Sequence, residues 1–202
     1  MKALQERILA EGQNLGSGIL KIDSLLNHQI YPDLMMDMGR EMARRFANVP
    51  IDRILTAEIS GIAPALTTAL VLNVPVVYAR KLKPITMAGP VFLETAPSHT
   101  KGGEVSLLIS AEFLHPGEKV LIIDDFLATG KTLMALARMV KSAKAELVGV
   151  GVVVEKTFEG GRAAMYQSGY NGPIEALAVI INMDDGKIVF ADDEGDPYAH
   201  RT

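Results

Sequence analysis

Two apolar runs in the second half of the chain constrain its fold more than any other feature. Val120-Leu121-Ile122-Ile123 and the stretch from Leu147 to Val154 are apolar at consecutive rather than alternating positions. That pattern suits strands buried on both faces. Between them, Thr132 to Ser142 has helical spacing, so the order is strand, helix, strand. The same order occurs earlier. Arg53-Ile54-Leu55-Thr56-Ala57 is strand-like, Ser60-Gly61 makes a tight turn, Ala63 to Leu72 is helical, and Val74-Pro75-Val76-Val77-Tyr78-Ala79 is the next strand. Apolar runs alternating with amphipathic helices predict an α/β fold, a parallel sheet with helices on both faces. Such sheets bind ligands at the carboxyl ends of their strands.

Upstream, Lys2 to Glu11 reads as a helix with Leu4 and Ile8 four apart. Pro32 opens a longer one that aligns Leu34, Met38, Met42 and Phe46 at steps of four. The methionine-rich stripe is read as core packing rather than a cofactor pocket, because Met fills irregular gaps. The chain has 202 residues, enough for one domain, with no repeat or linker to divide it. A formal charge of −4 gives no overall attraction to nucleic acid or an anionic membrane. No apolar stretch approaches the ~20 residues of a membrane helix, and the charged N-terminus lacks the core of a signal peptide. The absence of cysteine excludes disulfides, thiolate zinc sites and a cysteine nucleophile, and fits a cytoplasmic location. His28, His99, His115 and His200 have no paired spacing for a metal.

The insert from Lys83 to Gly103 carries Pro84, Gly89, Pro90, Pro97, Gly102 and Gly103. A weakly structured insert in a compact domain is usually functional, and it is read as a lid. The rival reading is a surface hairpin, in which Val105 to Ser110 pairs with a strand before it. The acidic tail from Asp192 to Thr202 is a candidate for disorder.

The strongest chemical signal is Val120-Leu121-Ile122-Ile123-Asp124-Asp125-Phe126-Leu127-Ala128-Thr129-Gly130-Lys131-Thr132. A buried strand delivers two acids to its carboxyl end, and a short glycine-containing loop opens a helix. Small residues let backbone N–H groups approach a ligand, Thr129 and Thr132 add hydroxyl donors, and the helix start favours an anion. The arrangement suits one ligand with both hydroxyls and a phosphate. A P-loop would need glycine where Asp125 stands. A Walker-B-like magnesium site lacks a partner P-loop elsewhere in the chain, and a capping role for the acids is the bland alternative.

This segment resembles the phosphoribosyl pyrophosphate (PRPP) signature of the type I phosphoribosyltransferases. Over about residues 1 to 190 the chain is similar to the xanthine-using members of that family. The matches are Leu20-Lys21-Ile22-Asp23-Ser24 with Leu26-Asn27-His28-Gln29-Ile30, Ser60-Gly61-Ile62-Ala63-Pro64-Ala65, Arg80-Lys81 with Lys83, Thr100-Lys101, and Val154-Glu155-Lys156 with Phe158 and Gly161-Arg162. One departure stands out. Ala128-Thr129-Gly130-Lys131-Thr132 replaces the Ala-Asn-Gly-Gln-Ala usual in the xanthine enzymes, which leaves phosphate binding intact but loosens the assignment of the base.

The resemblance implies a parallel sheet of about five strands with a small hood from residues 1–30 and 156–190. It implies transfer of the phosphoribosyl group to xanthine, with Mg²⁺ bound through PRPP rather than by the protein, in a cytoplasmic homodimer. Asp124 and Asp125 would hold the ribose hydroxyls and Ala128 to Thr132 the 5-phosphate. Glu58-Ile59-Ser60-Gly61 would form the pyrophosphate loop, and a flexible loop over 80–104 would bring Arg80, Lys81 and Lys83 to the same group. Leu20, Asn27 and Lys156 would read the base. An amide such as Asn27 both donates and accepts, and an ammonium at Lys156 donates to a 6-oxygen but repels the amino group of adenine. The bland reading of Lys156 is a surface lysine paired with Glu155 or Glu159. No side chain is assigned as a general base. The alternatives are transfer to another purine, or a PRPP-sensing regulator without catalysis.

Overall fold

In the computed structural model, residues 1–97 and 104–191 are described. The elements in chain order are α1 (Lys2–Glu11), β1 (Gln13–Asn14), β2 (Leu20–Lys21), α2 (Pro32–Arg45), β3 (Arg53–Ala57), α3 (Ile62–Leu72), β4 (Val76–Ala79), β5 (Val91–Pro97), β6 (Glu104–Ser110), β7 (Lys119–Leu127), α4 (Lys131–Ser142), β8 (Glu146–Lys156), α5 (Gly161–Gln167), β9 (Ile174–Asn182) and β10 (Val189–Phe190).

The two apolar runs lie side by side as β7 and β8 in the middle of a sheet ordered β10-β9-β8-β7-β3-β4. Five strands, β9 to β4 in that order, are parallel, and short β10 adds an antiparallel edge. Consecutive apolarity has the expected cause. Val150, Val152, Val153 and Val154 are all fully buried because both faces of β8 are covered.

On one face, α2 lies directly over β8. A Cβ on Gly149 would stand 2.6 Å from Phe46 Cε1, and one on Gly151 2.5 Å from Met42 Sδ. The glycines that interrupt the valine run are therefore where the helix presses on the strand. Met38, Met42 and Phe46 form the expected core stripe, with Met35 and Gly39 completing it, while Leu34 is only partly buried. A Cβ on Gly39 would meet the Thr67 backbone of α3 at 2.6 Å. Backbone cannot rotate aside, so Gly39→Ala should separate the two helices. Overpacking of this kind costs about 1–3 kcal/mol, partly offset by the better helix propensity of Ala. A lower urea midpoint with an unchanged slope is the expected result.

On the other face, α4 buries Leu133, Ala135, Leu136, Met139 and Val140. Here the expectation of a weakly structured insert through Gly103 needs correction. β5 and β6 form an antiparallel hairpin in full register, and Leu107 and Ile109 enter the same core cluster as α4. Arg138 Nε on α4 bonds Glu94 at 2.7 Å, and Arg80 bridges Leu108. The aliphatic alternation Val105-Leu107-Ile109 gives β6 an apolar face to dock. This is the rival hairpin reading, and among the described residues it leaves 81–90 as the irregular part. Thr100, Lys101, His99 and the tail from Asp192 onward, with its suggested disorder, lie outside the described residues.

The N-terminal segment packs beside β9 and the residues that follow it. Leu4 and Ile8 of α1 are fully buried, and Asn14 Nδ2 donates to the carbonyls of Met183 and Lys187. Among the described residues no helix is long and apolar enough to cross a membrane.

Candidate active site

β7 does not stop at its acids, as the sequence suggested. It continues to Leu127, paired with β8 through Leu127 opposite Glu155. Asp124 and Asp125 thus sit on a firm strand near its carboxyl end. Asp124 is buried, and its Oδ1 accepts from the Asp125 amide at 3.0 Å. Asp125 Oδ1 accepts from the Phe126 amide at 2.8 Å. Burial pushes the Asp124 carboxyl well above the ordinary aspartate range, the neighbouring Asp125 charge adds to this, and the Lys81 ammonium opposes it.

Ala128, Thr129 and Gly130 form the turn into α4, which begins at Lys131 and carries Thr132 in its first turn. Gly130 has a left-handed φ of 76°, a conformation open to glycine at little cost. The turn is braced from behind by the start of α5. A Cβ on Gly161 would stand 2.2 Å from the Ala128 carbonyl oxygen and 2.8 Å from the Gly130 nitrogen.

The Glu58-Ile59-Ser60-Gly61 turn follows β3, and its Glu58–Ile59 peptide is cis. A Cβ on Gly61 would stand 2.3 Å from Thr56 Oγ1 and 2.5 Å from Asp124 Oδ1. Glycine is what lets this turn close on the buried acid. Glu58 ties the next segment in. Its Oε1 accepts from the Lys81 amide at 2.6 Å, and its Oε2 lies 3.8 Å from Arg80 Nε. Lys83 is exposed. The turn after β3 thus meets Asp124 of β7 through Gly61 and the segment after β4 through Glu58.

Lys156 closes the other side as the last residue of β8. Its Nζ donates to the Gly18 carbonyl at 2.9 Å, pairs with Glu159 and lies 5.8 Å from the centre of the Phe126 ring. Its side chain is only 12 % exposed. The carboxylate partner is one that the bland reading named, but this is not a surface lysine. Gly18 also sits against Phe158, which would lie 3.2 Å from an added Cβ. Leu20 is partly buried in β2, two residues on. Asn27 is exposed at the end of a π-helical turn, and its Nδ2 donates locally to Asp23 at 3.1 Å.

Two supports escaped the sequence reading. Glu155, 1 % exposed, binds Arg162 through Nε at 2.9 Å and a second nitrogen at 2.5 Å, and Arg162 also donates to Ile174 O. This fork fixes α5, and so Gly161, against the Ala128–Gly130 turn. Thr56, the other, is a buried strand threonine with no local signal. Among the described residues no cluster of three or more His, Asp or Glu could hold a metal.

Residues 22–171 match the family described as "Phosphoribosyl transferase domain". A protein of Deinococcus deserti named xanthine phosphoribosyltransferase is 50% identical over 92% of this chain and 95% of its own length. One of Latilactobacillus sakei with the same name is 44% identical over 97% of this chain and all of its own. Among solved structures, an adenine phosphoribosyltransferase of Saccharomyces cerevisiae superposes with a TM-score of 0.69 at 27% identity, covering 88% of this chain and 99% of that one. The Giardia lamblia enzyme, at 21% identity over 89% and 98%, has a TM-score of 0.72 and shares the fold.

Proposed function

The chain belongs to the phosphoribosyltransferase family, and from that premise we propose that it salvages xanthine, transferring the 5-phosphoribosyl group of PRPP to give xanthosine 5'-monophosphate and pyrophosphate. The observation that carries the reaction is the arrangement around Asp124: the Gly61 turn packs against its Oδ1, and the Ala128–Gly130 turn begins four residues on in the chain. A sugar held by the acids has its 5-phosphate at the start of α4 and its pyrophosphate at the Gly61 turn.

A purine ring nitrogen that has given up its proton to solvent attacks C1 of the ribose as the C1–O bond to pyrophosphate breaks, through a transition state with positive charge on the sugar. Asp124 and Asp125 accept from the 2- and 3-hydroxyls and fix the ring. The amides of 128–132 and the hydroxyls of Thr129 and Thr132 hold the phosphate at the helix start. Arg80, Lys81 and Lys83 meet pyrophosphate oxygens, which requires Arg80 and Lys81 to leave Glu58. With the site built, the protein's contribution is placement and exclusion of water. Asp124 and Asp125 are the carboxylates that would face Mg²⁺ brought in with PRPP. When bound it neutralises charge on the departing group.

Lys156, backed by Glu159, presents an ammonium where a 6-oxo group can accept, and disfavours the amino group of adenine. Leu20 and Asn27, carried on the N-terminal segment, complete the base pocket. The adenine names among the structural neighbours speak to the shared fold. A second copy of the chain is the partner we propose. The outer face of α3 leaves Leu66, Leu70 and Val71 exposed beside Tyr78 of edge strand β4, a patch suited to association. Phosphorylated substrates that cannot cross a membrane place the reaction in the cytoplasm.

Pyrophosphate release with PRPP, Mg²⁺ and each of four purines tests the assignment. Xanthine should give the highest kcat/KM and adenine none. Lys156→Gln should lower kcat/KM for xanthine by roughly 10–100-fold, the loss of one charge-assisted hydrogen bond, with KM for PRPP unchanged. Release with adenine alone contradicts it.

A further inference from the structure

Thr56 is fully buried on β3, and its Oγ1 has no hydrogen-bond partner among the described residues. Buried threonines nearby do not share this state. Thr67 and Thr68 bond back to helix carbonyls of α3, Thr68 to Pro64 at 2.8 Å. A strand offers no such acceptor within its own turn. An unpaired buried hydroxyl is costly, and a valine of the same shape would avoid the cost. Packing alone therefore gives no reason for threonine here.

The position of the orphan oxygen does. Thr56 Oγ1 and Asp124 Oδ1 flank one point, 2.3 and 2.5 Å from where a Cβ on Gly61 would stand. The glycine leaves open the space between them. Oδ1 is also the oxygen pinned by the Asp125 amide, so it is the inner oxygen of the carboxyl. The charged groups that act on this carboxyl are Asp125 and Lys81.

We infer that Thr56 is a positioning residue for Asp124, its hydroxyl donating to Oδ1 once PRPP is bound and turning the other carboxylate oxygen to the ribose. This rests on the reading of Asp124 as the sugar-holding acid. The hydroxyl has no protein partner among the described residues, so pairing with Oδ1 in the complex would add to PRPP affinity. A buried charged acceptor makes that hydrogen bond a strong one.

The test pairs Thr56→Val, which keeps the shape, with Thr56→Ser, which keeps the hydroxyl. For Thr56→Val the free enzyme should melt at or above the native temperature. KM for PRPP should rise about tenfold, the size of one charge-assisted hydrogen bond, with KM for the purine unchanged. The thermal shift given by PRPP with Mg²⁺ should shrink. Thr56→Ser should restore KM for PRPP to within about twofold of native, since it keeps the donor. A native KM for PRPP in Thr56→Val, equal impairment in Thr56→Ser, or a collapse in the melting temperature of Thr56→Val would each overturn the inference. Asp124→Asn run alongside separates the two readings. If it is inactive while Thr56→Val behaves as native, the acid keeps its role and only the part given to Thr56 is lost.

Discussion

Replacing Asp124 and Asp125 together by Asn should lower kcat/KM for PRPP by roughly 10²–10⁴-fold, two hydrogen bonds to charged acceptors at ~1.5–3 kcal/mol each, and leave the fold intact. The fold persists because an Asn carbonyl oxygen can still accept the amides that now bond Asp124 Oδ1 and Asp125 Oδ1. At neutral pH the variant should also be the more stable protein. Burial and the Asp125 charge hold the Asp124 carboxyl well above its usual 3.8, so the folded chain keeps this proton to higher pH than the unfolded chain does. Stability contributed by the protonated group is complete below 3.8 and is lost as pH rises through the raised folded value. Asn removes that loss. The gain in melting temperature should therefore be present at mildly alkaline pH and vanish in acid, as thermal melts across pH would show. Binding of PRPP to the native enzyme needs the charged carboxylate, and should tighten over the same rise in pH.

Gly161→Ala should be nearly as damaging, although Gly161 is assigned no contact with substrate. The added methyl would stand 2.2 Å from Ala128 O, 2.6 Å from Leu127 Cδ1 and 2.8 Å from Gly130 N. Two of these are backbone atoms of the Ala128–Gly130 turn and cannot swing away. On the other side, α5 cannot retreat while Arg162 is held by Glu155 and Ile174 O. The Ala128–Gly130 turn has to move, and if it holds the 5-phosphate as proposed, a displacement of about 1 Å costs roughly 10²-fold. Steady-state kinetics should place most of the loss in KM for PRPP, with a melting temperature lowered by a few degrees for the overpacking.

What was legible in the sequence was local. Val120 to Ile123 followed by two acids, a glycine and hydroxyls is a contiguous message. It named the central strand, the turn after it and the helix that follows without any knowledge of neighbours. The parallel order was legible because each strand–helix–strand unit is also contiguous. The strand's continuation to Leu127 was not, since the acids look like an end and only pairing with β8 carries β7 past them. β10 is two residues long and exists through β9 alone. The insert was misjudged because its prolines and glycines outweighed the alternation in β6, whose docking partner α4 lies later in the chain. The Thr56–Gly61–Asp124 contact joins two strands and a turn, and the Glu155–Arg162 fork appears only once β8 and α5 are placed. Long-range contacts of this kind leave no spacing to read.

A crystal structure with PRPP and Mg²⁺ bound tests the central claim most directly. The ribose 2- and 3-hydroxyls should lie within hydrogen-bond reach of Asp124 and Asp125, with the 5-phosphate on the amides of 128–132 and the pyrophosphate at the Gly61 turn. Density for the sugar away from those two carboxylates would contradict it.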